Sequence, residues 1–239
     1  MKGIAKRVFR SLGYELGRFT PQACNEARLK HFLTYYGINL VLDVGANIGQ
    51  YSSLLREIGY KSQIVSFEPV ALTYSHLKSS AQRDKLWQIA PRSAIGNQDG
   101  EIEINISANS VSSSVVQMLD SHRNAAPKSI YADTEIVPVH RLDTIAKDHL
   151  KNNTSAFLKV DVQGFEKQVL EGATGILPWI KGIELELSMI PLYQDQLLYG
   201  EMIQYLENLG YELYAVIPDF TDPITGKMLQ MDGIFLKKD

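Results

Sequence analysis

Residues 40–49 read Leu-Val-Leu-Asp-Val-Gly-Ala-Asn-Ile-Gly: a short apolar run with one acid inside it, then two glycines, then helix-like spacing. A continuous apolar run bounded by turn residues predicts a strand buried on both faces, as in a parallel sheet. A strand of that kind needs a covering layer on each side, which points to a layered α/β sheet. Gly45 and Gly49 let the backbone pass close to a bound small molecule. Asp43 sets a carboxylate at the lip of the same turn.

The remaining chain alternates in the same manner. Helical spacing is read over residues 22–36, 51–58, 71–82, 142–150, 165–170 and 200–209. Strands are read over 40–44, 63–67, 86–95 (broken by Pro91), 101–106, 135–139, 156–160 and 182–187. Pro21 and Gly37 bracket the first of these helices, as helix punctuation requires. Two last strands, 211–217 and 233–237, are expected to pair antiparallel. The alternation predicts a doubly wound, mostly parallel α/β sheet with right-handed crossovers. Residues 105–133 hold Asn109-Ser110-Val111-Ser112-Ser113-Ser114 and Ala125-Ala126-Pro127, which is turn chemistry. A loop of that length is expected to be functional or mobile. Two units are expected: a helical extension over 1–38 and the sheet domain over 39–239.

At 239 residues the chain is long enough for one sizeable core and a small extension. A formal charge of −3 implies no general affinity for nucleic acid. Cys24 is the only cysteine, which excludes an internal disulfide and a cysteine-based zinc cluster and fits a reducing compartment. No stretch approaches the ~20 apolar residues of a membrane-spanning helix. Residues 1–19 lack the apolar core of an export signal, so a cytoplasmic protein is expected. Those residues place Lys2, Lys6, Arg7 and Arg10 among Ile4, Val8, Phe9, Leu12 and Leu16. They read as a helix packed on the domain or on a second copy of the chain, which would make a homo-oligomer. An amphipathic helix on a membrane surface is the other reading.

Charge decides what the turn after the first strand is suited to bind. A pyrophosphate would be repelled by Asp43, whereas a ligand with a cationic amino-acid end would be attracted. A dinucleotide fingerprint beginning at Gly45 also needs glycines at positions 47 and 50, where the chain has Asn47 and Gln50. Glu68, ending the next strand, suits a ribose diol in either ligand. Together these favour S-adenosylmethionine over NAD.

With Phe67-Glu68-Pro69, with Leu158-Lys159-Val160-Asp161-Val162-Gln163-Gly164-Phe165-Glu166 and with Val169-Leu170-Glu171-Gly172-Ala173, the 43–49 segment resembles the FkbM family of S-adenosylmethionine-dependent methyltransferases, from about residue 40 to residue 236. The Lys-x-Asp-x-x-Gly-x-Glu segment is the more specific part. Gln163 stands where the family usually has Glu, which removes one negative charge and weakens the case for a metal there. The resemblance implies a seven-stranded Rossmann-like methyltransferase sheet with a C-terminal antiparallel pair. It also implies O-methylation of a hydroxyl on a sugar, glycoconjugate or polyketide-like small molecule. By the same resemblance Asp43 and Gly45, with Ala46, Asn47 and Gly49, line the methionine end. Glu68, followed by Pro69, binds the ribose. Ser93, Ala94 and Ile95, at the end of the third strand, border the adenine, and Asp161 faces the reacting methyl group. As purely structural residues, Asp161 would be a helix N-cap and Glu166 a first-turn acid favoured by the helix dipole.

An alcohol acceptor benefits from a general base within hydrogen-bond reach. The candidates are Asp161, Glu166, His140, Glu184 and Glu186. Glu184 and Glu186 share a strand face by alternation, and buried carboxylates need partners or a role. With Asp161 they could form an acidic cluster, at which a divalent metal is the less favoured reading. Acceptor recognition is expected from residues 105–133 and the N-terminal segment. Asn109, Ser112, Ser113 and Ser114 would serve for hydrogen bonding, and Tyr131, Tyr193 and Tyr199 for stacking on a sugar face. A module that binds S-adenosylmethionine without catalysis is the competing reading. Nucleic-acid methylation is disfavoured by the net charge and by the lack of an Asn-Pro-Pro-Tyr or Pro-Cys signature.

Overall fold

The computed structural model describes residues 2–14 and 17–238. In chain order its elements are α1 (Lys2–Ser11), α2 (Asn25–Tyr35), β1 (Leu40–Val44), α3 (Gln50–Glu57), β2 (Gln63–Phe67), α4 (Ala71–Ala81), β3 (Trp87–Ile89), β4 (Ala94–Gly96), β5 (Gly100–Ser107), α5 (Asp120–Ala125), β6 (Tyr131–Arg141), α6 (Leu142–Ile145), β7 (Ala156–Val160), α7 (Glu166–Glu171), β8 (Ile180–Ser188), α8 (Tyr199–Asn208), β9 (Tyr211–Pro218) and β10 (Gln230–Lys237). Single 3-10 turns occupy Pro127–Ser129, Lys147–His149 and Thr174–Trp179.

Seven strands form the main sheet in the order β3-β2-β1-β7-β8-β10-β9. The first five are parallel, and β10 runs antiparallel to both β8 and β9. β1 and β7 are buried over all five residues, which is why each reads as an unbroken apolar run. Alternation splits their side chains between two layers. Val41, Phe157 and Ile234 pack with Leu55 of α3 and Leu77 of α4, while Leu42, Val44, Leu158 and Val160 pack with Leu170 of α7 and Leu206 of α8. Strand order reverses between β1 and β7, and in open α/β sheets ligands sit outside the carboxyl ends of strands at such a point.

Several expectations are corrected. The strand expected over 86–95 is two strands in two sheets. β3 pairs with β2, and after Pro91 the chain leaves to form β4, which pairs with β6 in a separate three-stranded sheet of order β4-β6-β5. Proline offers no N–H to continue a ladder, so the break is where the chain changes sheet. The expected loop over 105–133 is partly regular, since it contains the end of β5, helix α5 and the start of β6. The helix expected over 142–150 is only α6 and a 3-10 turn.

The expected boundary near residue 38 cuts through packed elements. Phe32 of α2 is fully buried, edge-on to Phe157 at a centroid distance of 5.4 Å, and shares a cluster with Val41 and Ile64. Helix α2 is therefore part of the sheet's covering layer. Val8 and Phe9 of α1, and Leu12 just after it, are exposed, so among the described side chains of this segment the expected packing on the domain is not seen. Leu16 and the side chain of Ile4, from the same expected pattern, lie outside what is described.

Replacing Phe32 by alanine is expected to cost about 3–5 kcal/mol, as for other large-to-small changes in a packed core. Urea unfolding of Phe32→Ala checks this. A loss below about 1 kcal/mol, typical of surface positions, would place α2 outside the core.

Candidate functional site

β1 and β7 part company at Gly45 and Asp161. The Asp161 N–H still donates to the Val44 carbonyl at 3.0 Å, and a Cβ added at Gly45 would collide with the Asp161 carbonyl. Gly45 also has φ +82, so both space and backbone require glycine. The N–H groups of Gly45 and Ala46 donate to the Phe67 carbonyl of β2, each at 3.0 Å. Next the Asn47 N–H donates to Glu68 Oε2 at 2.8 Å. The other oxygen of Glu68 accepts from the Val70 N–H (2.9 Å) and Thr73 Oγ1 (2.7 Å). Glu68 thus ties the 45–49 turn to the start of α4. Burial raises its proton affinity, and the hydrogen bonds from Thr73, Val70 and Asn47 oppose that. Gly49 serves packing: a Cβ there would strike the Trp87 ring, and it does not line the cavity described below.

Register sets a row of polar side chains across the buried sheet. Ser66, Asp43, Lys159 and Glu184 are successive partners on β2, β1, β7 and β8. Asp43 Oδ2 accepts from Ser52 Oγ (2.6 Å) and Ser66 Oγ (3.1 Å). Burial nevertheless raises the Asp43 carboxyl above its usual range. Lys159 Nζ lies 3.2 Å from Asp232 Oδ1, 3.9 Å from Glu184 Oε1 and 5.6 Å from the Tyr51 ring centre. Burial would lower the lysine, but Asp232, Glu184, Asp161 and Glu186 outweigh it and push it well above its ordinary value. Tyr51 Oη donates to Glu184 Oε2 at 2.6 Å.

Beyond β7, Gln163 Nε2 donates to Asp161 Oδ1 (2.9 Å) and Glu186 Oε2 (2.7 Å). Glu166 is 2% exposed and accepts the Gly164 N–H at 3.0 Å; burial pushes its carboxyl up to about 7. It sits behind the 163–164 turn and does not line the cavity.

A cavity of about 500 Å³ opens at these strand ends. Asp43, Gly45, Ala46, Asn47, Glu68, Pro69, Ser93, Ala94, Ile95 and Asp161 all line it. Ser93 reaches it from just before β4 and Ala94 and Ile95 from β4 itself, not from the end of β3. Val70, Ala94 and Ile104, an apolar group between α4 and the small sheet, form part of the wall. His140 is not brought here: it lies on β6 beside Asp99, with Nδ1 3.3 Å from Oδ1.

The loop hydroxyls are largely engaged within the chain. Asn109 Oδ1 accepts from Ser107 Oγ and the Ser112 N–H, Ser113 Oγ donates to the Ser110 carbonyl, and Ser114 Oγ donates to the Gln163 carbonyl. Ser113 and Ser114 line the cavity, whereas Ser112 and Asn109 do not. The three tyrosines expected to stack are also outside the lining. Tyr193 is buried on Gln163, Tyr131 donates to the Val116 carbonyl, and Tyr199 is exposed. Among the described residues no group of three or more His, Cys, Asp or Glu is arranged to hold a metal ion.

Sequence reasoning assigned no role to Lys159, Tyr51 or Asp232. Lys159 did carry a signal, because a cation between Leu158 and Val160 in a doubly buried strand must find carboxylates.

The geometry defines a ligand cavity at the switch point of a doubly wound sheet. A family model for the methyltransferase FkbM domain matches residues 43–213, and the chain belongs to that family. No curated protein sequence matches the chain. Among solved structures it is similar to a Burkholderia thailandensis 1,6-didemethyltoxoflavin-N1-methyltransferase (11% identity, 90% of this chain, 77% of that chain, TM-score 0.48). It is also similar to Aeropyrum pernix fibrillarin with natively bound S-adenosyl-L-methionine (13%, 82%, 66%, 0.45) and to the methyltransferase domain of bacterial CtHen1-C (11%, 93%, 100%, 0.45).

Glu166 makes stability depend on pH in a defined direction. Its folded value of about 7 lies above the 4.5 of an ordinary glutamate. Between those values the unfolded chain gives up the proton and the folded chain keeps it, so stability falls as pH rises through that window and levels off above it. Glu166→Gln keeps an oxygen for the Gly164 N–H and removes this loss. Relative to wild type the variant is expected to gain about 2–3 kcal/mol on going from pH 4.5 to pH 8. Parallel wild-type and variant curves of urea-unfolding stability against pH would contradict the assignment.

Proposed function

We propose that the protein transfers a methyl group from S-adenosylmethionine to a hydroxyl of a small-molecule or carbohydrate acceptor. Family membership supports methyl transfer. The observation that carries the choice of methyl donor is the division of the cavity wall between carboxylates and apolar side chains.

The wall fits the donor's parts. Asp43 and Asp161 provide negative potential for an ammonium and a sulfonium. Glu68 is held rigidly at the end of β2, where a ribose diol would find an acceptor. Val70, Ala94, Ile95 and Ile104 offer an apolar slot for adenine. A cavity of about 500 Å³ is within the usual range for ligands of this size. When bound, the donor supplies an electrophilic methyl group on sulfur. The chain's part is to hold the acceptor oxygen in line with it and to take the hydroxyl proton, for which Asp161 is one of the carboxylates at the cavity wall. Glu166 is engaged with the Gly164 N–H, Glu184 with Lys159 and Tyr51, and His140 and Glu186 do not line the cavity, which leaves Asp161 as the base this reading favours.

Calorimetric titration with S-adenosylhomocysteine is expected to show micromolar binding to wild type, weakened at least tenfold in Asp43→Asn and Glu68→Gln, with folding of each variant checked by circular dichroism. Radiolabelled methyl transfer to a panel of sugars and glycosylated alcohols then tests turnover. Binding without transfer to any acceptor would favour a non-catalytic module, and no binding to wild type would remove S-adenosylmethionine from the account.

A further inference from the structure

Gln163 stands between β7 and α7 in a left-handed backbone conformation, with φ 55. Non-glycine residues rarely adopt it, and where they do, the surroundings hold them there. Ser114 Oγ donates to the Gln163 carbonyl at 2.6 Å. The following Gly164 N–H is taken by Glu166 Oε1. Tyr193 packs so closely on Gly164 that a Cβ there would strike its side chain. The turn is thus fixed from three directions, and with it the aim of the Gln163 side chain.

Every polar atom of that side chain is used. Nε2 donates to Asp161 Oδ1 and to Glu186 Oε2, and Oε1 accepts from Tyr193 Oη at 2.6 Å. The amide cannot be reversed, because its oxygen would then face two carboxyl groups that need a donor. Tyr193 is 1% exposed, and burial holds its phenol far above the usual range, so it remains a donor. Burial, then the neighbouring Asp161 and Glu166, raise Glu186 well above an ordinary glutamate. No other described side chain is seen to donate to Asp161, so its second oxygen stays available to the cavity it lines.

We propose that Gln163 and Tyr193 are positioning residues that act through Asp161, holding its carboxylate toward the part of the cavity where a sulfonium would lie. This rests on the S-adenosylmethionine reading above. Its consequence is electrostatic. A carboxylate fixed beside the sulfur attracts the sulfonium of S-adenosylmethionine and gains nothing from the neutral thioether of S-adenosylhomocysteine. The preference between the two ligands therefore reports how Asp161 is held.

The test is calorimetric titration of both ligands into the full-length wild type, Gln163→Leu, Tyr193→Phe and Asp161→Asn, with thermal unfolding recorded for each. The readout is the dissociation constant for S-adenosylhomocysteine divided by that for S-adenosylmethionine. Gln163→Leu removes the donor to Asp161 and is expected to lower the ratio roughly tenfold, the scale of a hydrogen bond to a charged group. Tyr193→Phe keeps Nε2 but frees the amide, and a fall of about threefold is expected. With Asp161→Asn in place, adding Gln163→Leu is expected to change the ratio no further. A merely structural role would weaken both ligands alike and leave the ratio fixed. A ratio unchanged in both single variants, with wild type binding both ligands, overturns the positioning role alone. Should Gln163→Leu not fold, Tyr193→Phe decides by itself. Failure of wild type to bind either ligand overturns the underlying reading and the proposal with it.

Discussion

The buried ammonium of Lys159 allows this sheet to end in acids. Asp43, Asp161, Glu184, Glu186 and Asp232 gather around it, from the ends of β1 and β7 and from along β8 and β10. Carboxylates taken out of water without a partner would protonate or prevent folding. Lys159 sits in the middle of the row because the parallel register places position 159 between 43 and 184. Tyr51, reaching in from α3, completes the shell by donating to Glu184. One cation cannot neutralise all these groups. The surplus is carried partly as raised proton affinity in Asp43, Glu184 and Glu186 and partly as negative potential at the cavity wall.

Two sheets divide the construction of the cavity. The main sheet brings the polar ends of its strands and the sharp turn at Gly45, where two backbones approach too closely for any side chain. The small sheet, inserted in the chain between β3 and β7, brings Ala94 and Ile104 and, with Val70 of the main domain, an apolar face. Polar and apolar halves therefore come from different parts of the chain. A ligand with a charged end and a flat apolar end matches that separation.

The main sheet was legible wherever burial on both faces left a continuous apolar run. β1, β2 and β7 have the bounds their apolar runs suggest, because no alternation blurs their ends. The antiparallel final pair was legible in the same local way. The small sheet was not: β4 is only three residues long, and its partners lie on β6, more than forty residues downstream, so local periodicity says nothing of the pairing. For the site, residue type announced Asp43, Gly45 and Glu68. It did not announce whether a hydroxyl was free. Most of the hydroxyl and amide groups of the 107–114 loop are spent on the loop itself or on Gln163. Gln163 read as a lost charge, and only the fold revealed it as a donor shared by two acids.

The most direct measurement is a crystal structure of the protein grown with S-adenosylhomocysteine. The account expects the amino-acid end against Asp43 and Gly45, the ribose hydroxyls on Glu68, the adenine against Ala94 and Ile95, and the sulfur beside Asp161. Ligand bound elsewhere on the chain, or seated in this cavity with its adenine among the carboxylates, would contradict it.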